Sequence, residues 1–304
     1  MEHDTVIKDY SSRVRKVLLY TLILNTLVAF AKIFYGYMTD SIAMTSDGFH
    51  SLFDGVSNVI GLVGIWIASR PPDWNHPYGH RKYETLFTII IAAMIFVTCF
   101  QILKKVYASL FQNHMTVVTD TSFAIMIFTV AVNVFVVSYE SKKGRQFGSD
   151  FLIADAKHTK SDIFVSLSVI VSLVFTKLGY YFVDTVTGII IVFLIGRIGY
   201  QIVKGASDVL VDTVSLDTST IENIVNRIEG VRGSHDIRTR GAAHSVYVDL
   251  HALVDSAMSV EKAHGIADRI EDDIKKGLPS VIDVVVHIEP DMPKDGNRTQ
   301  EVGN

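Results

Sequence analysis

The sequence predicts an α-helical membrane protein of six transmembrane helices, followed by a C-terminal α+β domain of element order αββαβ. Three observations carry this prediction. Charged residues make up 20% of the 304 positions, against about 25% in soluble domains, and the mean hydropathy is +0.32. Long apolar runs fill the first two thirds, whereas Asp, Glu, Lys and Arg crowd the last third. In that last third the apolar spacing shortens to small amphipathic elements. The expected division is a membrane domain over 1–206, a soluble domain over 207–291 and a disordered tail over 292–304.

A net charge of −4 offers no basic face to nucleic acid, which DNA-binding domains present as clustered Lys and Arg. The one cysteine, Cys99, lies in an apolar run and forms neither an intrachain disulfide nor a thiolate cluster. Metal chemistry here must use His and carboxylates. The polar start MEHDTVIKDYSSRVRKV is too long for a secretory signal, so the first apolar segment is expected to stay as an anchor.

A helix needs about 20 mostly apolar residues to cross the hydrocarbon. Segments 17–37, 42–67, 85–103, 121–139 and 182–203 meet this. Segment 151–176 pairs a polar half, FLIADAKHTKSD, with the apolar IFVSLSVIVSLVF. It counts as a span because an odd number would put the C-terminal domain on the wrong side of the charge bias. Lys8, Arg13, Arg15, Lys16, Arg70, Arg81, Lys82, Lys142, Lys143, Arg145 and Lys204 all fall on one side of a six-span topology. The opposite loops are nearly bare; Lys104, Lys105 and Lys177 sit at helix ends, where long side chains snorkel. The positive-inside rule then makes both termini cytoplasmic.

A charge at the centre of a span costs about 2.5 to 3.5 kcal/mol on insertion scales and marks function by default. The second span holds Asp47, His50 and Asp54 in DGFHSLFD, and the fifth holds Asp155, His158 and Asp162 in DAKHTKSD. His and Asp four residues apart project from one helix face, about 6 Å apart along the axis. Two such helices facing each other offer two imidazoles and two carboxylates to one point. That donor set suits tetrahedral zinc, whereas magnesium and calcium favour oxygen shells. Asp47 and Asp155 read either as partners orienting the histidines or as solvated helix-end carboxylates.

The loop RPPDWNHPYGHRKYE sets Asp73, His76 and His80 within eight residues, broken by Pro77 and Gly79. A turn that gathers all three makes a site with an open fourth position; the alternative is a polar interfacial loop. In the soluble part, Ser219 with Glu222 reads as a capping box opening a helix to about Glu229. Strands follow near 231–239 and 244–254, then a helix over 259–277 and a strand over 281–289. Alternation turns Val246, Val248, Leu250 and Ala252 to the core, with Tyr247, Asp249 and His251 opposite. Likewise Ile282, Val284, Val286 and Ile288 read as core, with His287 and Glu289 outward. The helical stripe is Val260, Ala263, Ala267, Ile270 and Ile274.

Six spans, HxxxD on the second and fifth, the DxxHxxxH loop and the soluble C-terminal domain together resemble the cation diffusion facilitator family over nearly the whole chain. The resemblance implies a homodimeric divalent-metal exporter in the lipid bilayer. Its transport site carries onto His50, Asp54, His158 and Asp162, and its loop site onto Asp73, His76 and His80. Zinc-binding relatives hold metal at a metallochaperone-like domain, which carries onto His235, His251, His264, His287 and Glu289. Lys82 and Asp212 match a pair that holds protomers in register. Of the 11 histidines, His3, His114 and His244 alone stay outside these sets.

Zinc with two neutral imidazoles and two carboxylates is neutral; an emptied site keeps two bare negative charges, which protons refill. This charge balance predicts proton-coupled antiport of Zn2+ by alternating access, and the resemblance implies a cytoplasmic domain that binds zinc and stabilises the dimer. The resemblance implies the same coupling. HxxxD on both helices goes mostly with zinc in this family, and all-Asp sites with manganese or iron. The loop SKKGRQFGSD lacks the His-rich insertion of eukaryotic vesicular members, which points to a prokaryotic-type exporter in the plasma membrane. The alternatives are an exporter of manganese, iron, cobalt or cadmium, or a non-transporting sensor or partner subunit. No HExxH occurs, and the four-ligand set has no open position for hydrolytic chemistry. The chain therefore does not read as an enzyme.

Overall fold

The computed structural model describes residues 2–38, 42–109, 120–177, 182–242 and 245–292. The side chains of Asp47 and His50 lie outside the described residues, as do His114, His244 and the tail beyond Met292. The chain forms two compact units, Met1–Ser207 and Asp208–Asn304.

The first unit contains six long helices: α1 Glu2–Met38, α2 Ile42–Ala68, α3 Lys82–Ser109, α4 Asp120–Phe147, α5 Asp150–Lys177 and α6 Phe182–Leu210. Helix α1 starts well before the apolar run. Its polar first turns include an Asp9–Arg13 ion pair one helical turn apart, and the Tyr10 hydroxyl is fixed to the Glu84 carboxylate at 2.8 and 2.9 Å. Among the described residues, four stretches are long and apolar enough to cross a bilayer: Asp9–Met38, Lys82–Lys104, Phe123–Phe147 and Thr185–Leu210. Helix α2 has a shorter apolar stretch, Asp54–Ala68. Helices α2 and α5 are the two that carry the His and Asp motifs.

Three contacts place α2 and α5. A Cβ at Gly48 would stand 2.6 Å from Ile33 Cγ1 and 2.8 Å from the Ile33 backbone nitrogen, so only glycine lets α1 and α2 approach this closely. The Ser149 hydroxyl donates to Glu84 Oε1 at 2.5 Å and ties the start of α5 to α3. Phe151, Leu152, Leu18, Ile65, Ile91 and Ile195 then share one wholly enclosed apolar cluster.

The second unit has the order α7 Thr218–Val225, β1 Val231–Ala242, β2 Ser245–Asp255, α8 Val260–Gly277 and β3 Val281–Asp291. The sheet order is β1-β2-β3, antiparallel between β1 and β2 and parallel between β2 and β3. Val246, Val248, Leu250 and Ala252 pack against Ile221, Val225, Ile266, Ile270 and Ile274 of the two helices.

Several details depart from the sequence expectation. Asp217 caps α7 and accepts from the Ser219 backbone N–H, so Ser219 lies inside the first turn and the helix ends at Val225. An irregularity after the Val246–Val281 pair shifts the β3 register, so Val281 takes the core position assigned to Ile282, while Val284, Val286 and Ile288 keep theirs. On α8 the buried stripe is Ile266, Ile270 and Ile274. Val260 opens the helix at 86% exposure, too near its end to reach the sheet.

Candidate metal sites

The first cluster lies between α2 and α5. On α5, Asp155, His158 and Asp162 recur at three and four residues, which holds them on one face. Ligand atoms of Asp54, His158 and Asp162 all lie within 4.8 Å of one another. They line a small cavity with Ser51 on α2, Asn133 on α4 and Thr159 on α5. His158 is 3% exposed, and among the described residues neither ring nitrogen has a hydrogen-bond partner. Leaving buried polar atoms unpaired costs about 1 to 3 kcal/mol each, which fits nitrogens kept for a ligand. His50 lies on α2 one turn before Asp54, on the same helix face.

Asp155 is buried one turn from His158 and accepts from Asn58 Nδ2 at 2.6 Å. Asn58 in turn accepts from Asn25 Nδ2 at 3.1 Å. Asp155 is thus held across to α2 and α1, and among the described residues its second oxygen accepts no hydrogen bond of good geometry.

Two buried charges escaped the sequence reading. Glu140 on α4 is fully buried, and among the described residues both its oxygens lack a hydrogen-bond partner. Thr21 lies beside it, but the single Thr21 hydroxyl proton is directed to the Val17 and Leu18 carbonyls. The expected span ended at 139, one residue short of Glu140, whereas α4 runs on to Phe147. Lys32 on α1 is 4% exposed and donates to Ser51 Oγ at 2.8 Å. A lone lysine within the 17–37 apolar run was the available signal.

The second cluster forms in the loop between α2 and α3. Asp73 Oδ1 accepts from the backbone N–H groups of Asn75 and His76 at 2.9 and 2.7 Å, closing a tight turn. Gly79, at φ +82°, reverses the chain so that His80 returns beneath it. Asp73 then stands 3.0 Å from His76 Nδ1 and 3.4 Å from His80 Nε2. Desolvation works against the Asp73 carboxylate, but hydrogen bonds from the His76 ring and from the two backbone N–H groups outweigh it and lower its pKa. The three donors fit a metal ion: their ligand atoms lie within 4.8 Å of one another, facing an exposed side.

The third cluster is on the outer face of the sheet. His235, His251 and His287 are register partners across β1, β2 and β3 and form one row. Glu289, two residues on, reaches back to all three, at 3.4, 3.0 and 3.6 Å respectively. The ring centroids lie 5.2 and 4.7 Å apart. Asp236, displaced by a bulge after His235 at φ +49°, joins His235 and His251 as a further donor that the sequence reading did not name. Adjacent imidazoles with a carboxylate are a borderline-metal donor set. His264 is not gathered with them; it lies on α8, 3.9 Å from Asp268. Lys82 opens α3 in the first unit, and Asp212 follows α6 in the second at φ +55°.

A six-helix unit enclosing His and carboxylate donors, with a small α/β unit bearing a second set, is the architecture of a metal-cation transporter. Residues 18–211 match the cation efflux transmembrane domain, and residues 214–291 match the cytoplasmic domain of cation efflux proteins. The chain belongs to the cation efflux family, the cation diffusion facilitators, and is a multi-pass membrane protein that exports divalent metal cations. An uncharacterized transporter of Methanocaldococcus jannaschii is 32% identical, over 91% of this chain and 98% of its own. Two manganese efflux system proteins of Bacillus subtilis, MneP and MneS, are 29% and 31% identical, covering 91% and 85% of this chain and 96% and 89% of theirs.

Proposed function

We propose that the protein exports Zn2+ in exchange for protons, by alternating access, as a homodimer with six spans per protomer. The observation that carries this reading is the convergence of Asp54, His158 and Asp162 on one small cavity. With His50 one turn away, they give zinc two imidazoles and two carboxylates. Loading zinc neutralises the two carboxylates, and its departure leaves charges that protons replace. The basic residues on one set of loops favour six spans with both termini cytoplasmic, and the loop SKKGRQFGSD, without a His-rich insertion, favours a plasma-membrane location.

The loop donors Asp73, His76 and His80 hold a second zinc on the cytoplasmic side. His235, His251, His287 and Glu289 hold zinc on the cytoplasmic domain, with His264 supplied across the dimer and Lys82 pairing with Asp212. Zinc shared between two domains favours the conformation in which they meet, which makes this domain both dimeriser and sensor.

A second reading is Mn2+ export, favoured by the names of the Bacillus relatives. One experiment separates the two. Purified protein is reconstituted in liposomes holding a metal-sensitive dye, a pH gradient is imposed, and Zn2+ or Mn2+ is added. Gradient-dependent zinc flux that vanishes in Asp54→Ala and Asp162→Ala supports the proposal. Manganese flux without zinc flux overturns it.

A further inference from the structure

The first unit holds a built-in cation beside the metal cavity. Lys32 is enclosed on α1, where Gly48 of α2 allows the two helices to touch; a Cβ there would stand 3.1 Å from Lys32 Cβ. Its ammonium does not snorkel to the surface. It donates at 2.8 Å to Ser51, a residue of the cavity wall, and its charge acts on Asp162 across the cavity. A buried ammonium is costly in a membrane unless it faces compensating charge. Beside Lys32, the charged and titratable groups acting on Asp162 are Asp54 from α2 and His158 and Asp155 from α5; α4 contributes the uncharged Thr129 and Asn133 to the cavity.

We infer that Lys32 is a tethered counter-ion that competes with the metal for the Asp54 and Asp162 carboxylates and so promotes release. It is a positioning residue and never a ligand. Lys32 when charged, with the two carboxylates that line the cavity, sums to plus one with a divalent cation bound and to minus one without it, and Asp155, outside the lining, enters both states alike. The loaded state is therefore destabilised by one buried like charge, and the empty state is stabilised by the same charge. A transporter needs this asymmetry, because a cavity that binds too tightly does not turn over.

The inference rests on the proposed transport site, and its test separates the two. Zinc uptake into proteoliposomes is measured against zinc concentration for wild type, Lys32→Gln, Lys32→Met, Lys32→Arg and Asp162→Asn. Removing one charge at moderate effective dielectric is expected to lower the half-saturating zinc concentration about tenfold, with a slower maximal rate. Lys32→Arg, which keeps the charge, is expected to stay near wild type. A merely structural lysine gives the opposite sign, with weakened or unchanged saturation in the neutral variants. That result overturns the inference, as does failure of both neutral variants to fold beside a folded Lys32→Arg. If Asp162→Asn transports as wild type, the transport-site reading itself falls; if it is inactive and Lys32→Gln is no tighter, the lysine inference alone falls.

Discussion

The cluster between α2 and α5 and the histidine row of the sheet use the same side chains under opposite conditions. His158 is buried with both nitrogens unpartnered among the described residues, whereas His235, His251 and His287 stand on an exposed face and share Glu289. Water solvates the second set whether or not metal is present. The first set must be compensated from within, by a metal ion, by protons or by a fixed charge such as Lys32. Burial thus suits one cluster to the proposed transport role, in which metal and protons take turns, and exposure suits the other to a site that can stand empty.

The largest expected effect is at the buried cluster. Asp162→Ala should reduce metal flux by more than about 100-fold, beyond the 10- to 100-fold typical of losing an outer-shell partner. Stopped-flow dye fluorescence in proteoliposomes checks this, and flux within tenfold of wild type would remove Asp162 from the path.

The exposed cluster gives the contrasting case. His251 is the central member of the row, paired in register with both His235 and His287. His251→Ala should weaken zinc binding by the cytoplasmic domain about 10- to 100-fold while gradient-driven flux through the first unit persists. Calorimetric titration of the full-length Asp162→Ala protein, with and without the second substitution, reads the difference. An unchanged isotherm would separate the row from metal binding.

These two clusters were not equally legible in sequence. Helical periodicity is short-range, so Asp155, His158 and Asp162 could be assigned to one face from spacing alone. Alternation likewise put His251, His287 and Glu289 on one outward face. Reading His235 into the same row required the β1–β2 register, and the bulge that adds Asp236 leaves no pattern in the sequence. His264 shows the limit of counting donors: its place on α8 separates it from the row within one protomer. Glu140 escaped because the expected span stopped one residue short of it, and Lys32 for a different reason. Hydropathy averages over a window, and a single buried charge in an apolar helix hardly moves that average. Ser219 was mistaken for the α7 cap because Asp217, two residues earlier, offers an equally good acceptor.

A smaller effect tests how the buried side is supported. Asn58→Ala removes the donor at 2.6 Å from Asp155 Oδ2 and leaves that oxygen of the enclosed carboxylate short of a partner. The expected loss is about 1 to 3 kcal/mol, the cost of an unsatisfied buried group. Thermal unfolding in detergent checks it, and an unchanged midpoint would mean that the Asn25–Asn58–Asp155 chain contributes nothing to the fold.

The smallest effect lies at an exposed carboxylate on the soluble side. Asp217 accepts from both the Ser219 hydroxyl, at 2.6 Å, and the Ser219 backbone N–H, at 3.1 Å. Those hydrogen bonds outweigh desolvation and lower its pKa in the folded state. A folded value below the unfolded one stabilises α7 fully at neutral pH. That contribution is lost as pH falls from the ordinary carboxylate range through the lowered folded value. Amide exchange at Ser219 and Thr220 should therefore show protection falling faster on acidification in wild type than in Asp217→Asn, whose side-chain oxygen still accepts but does not titrate. Parallel acid profiles for the two proteins would assign the α7 cap to geometry alone, and the comparison with the buried carboxylates would then rest entirely on Asp54 and Asp162.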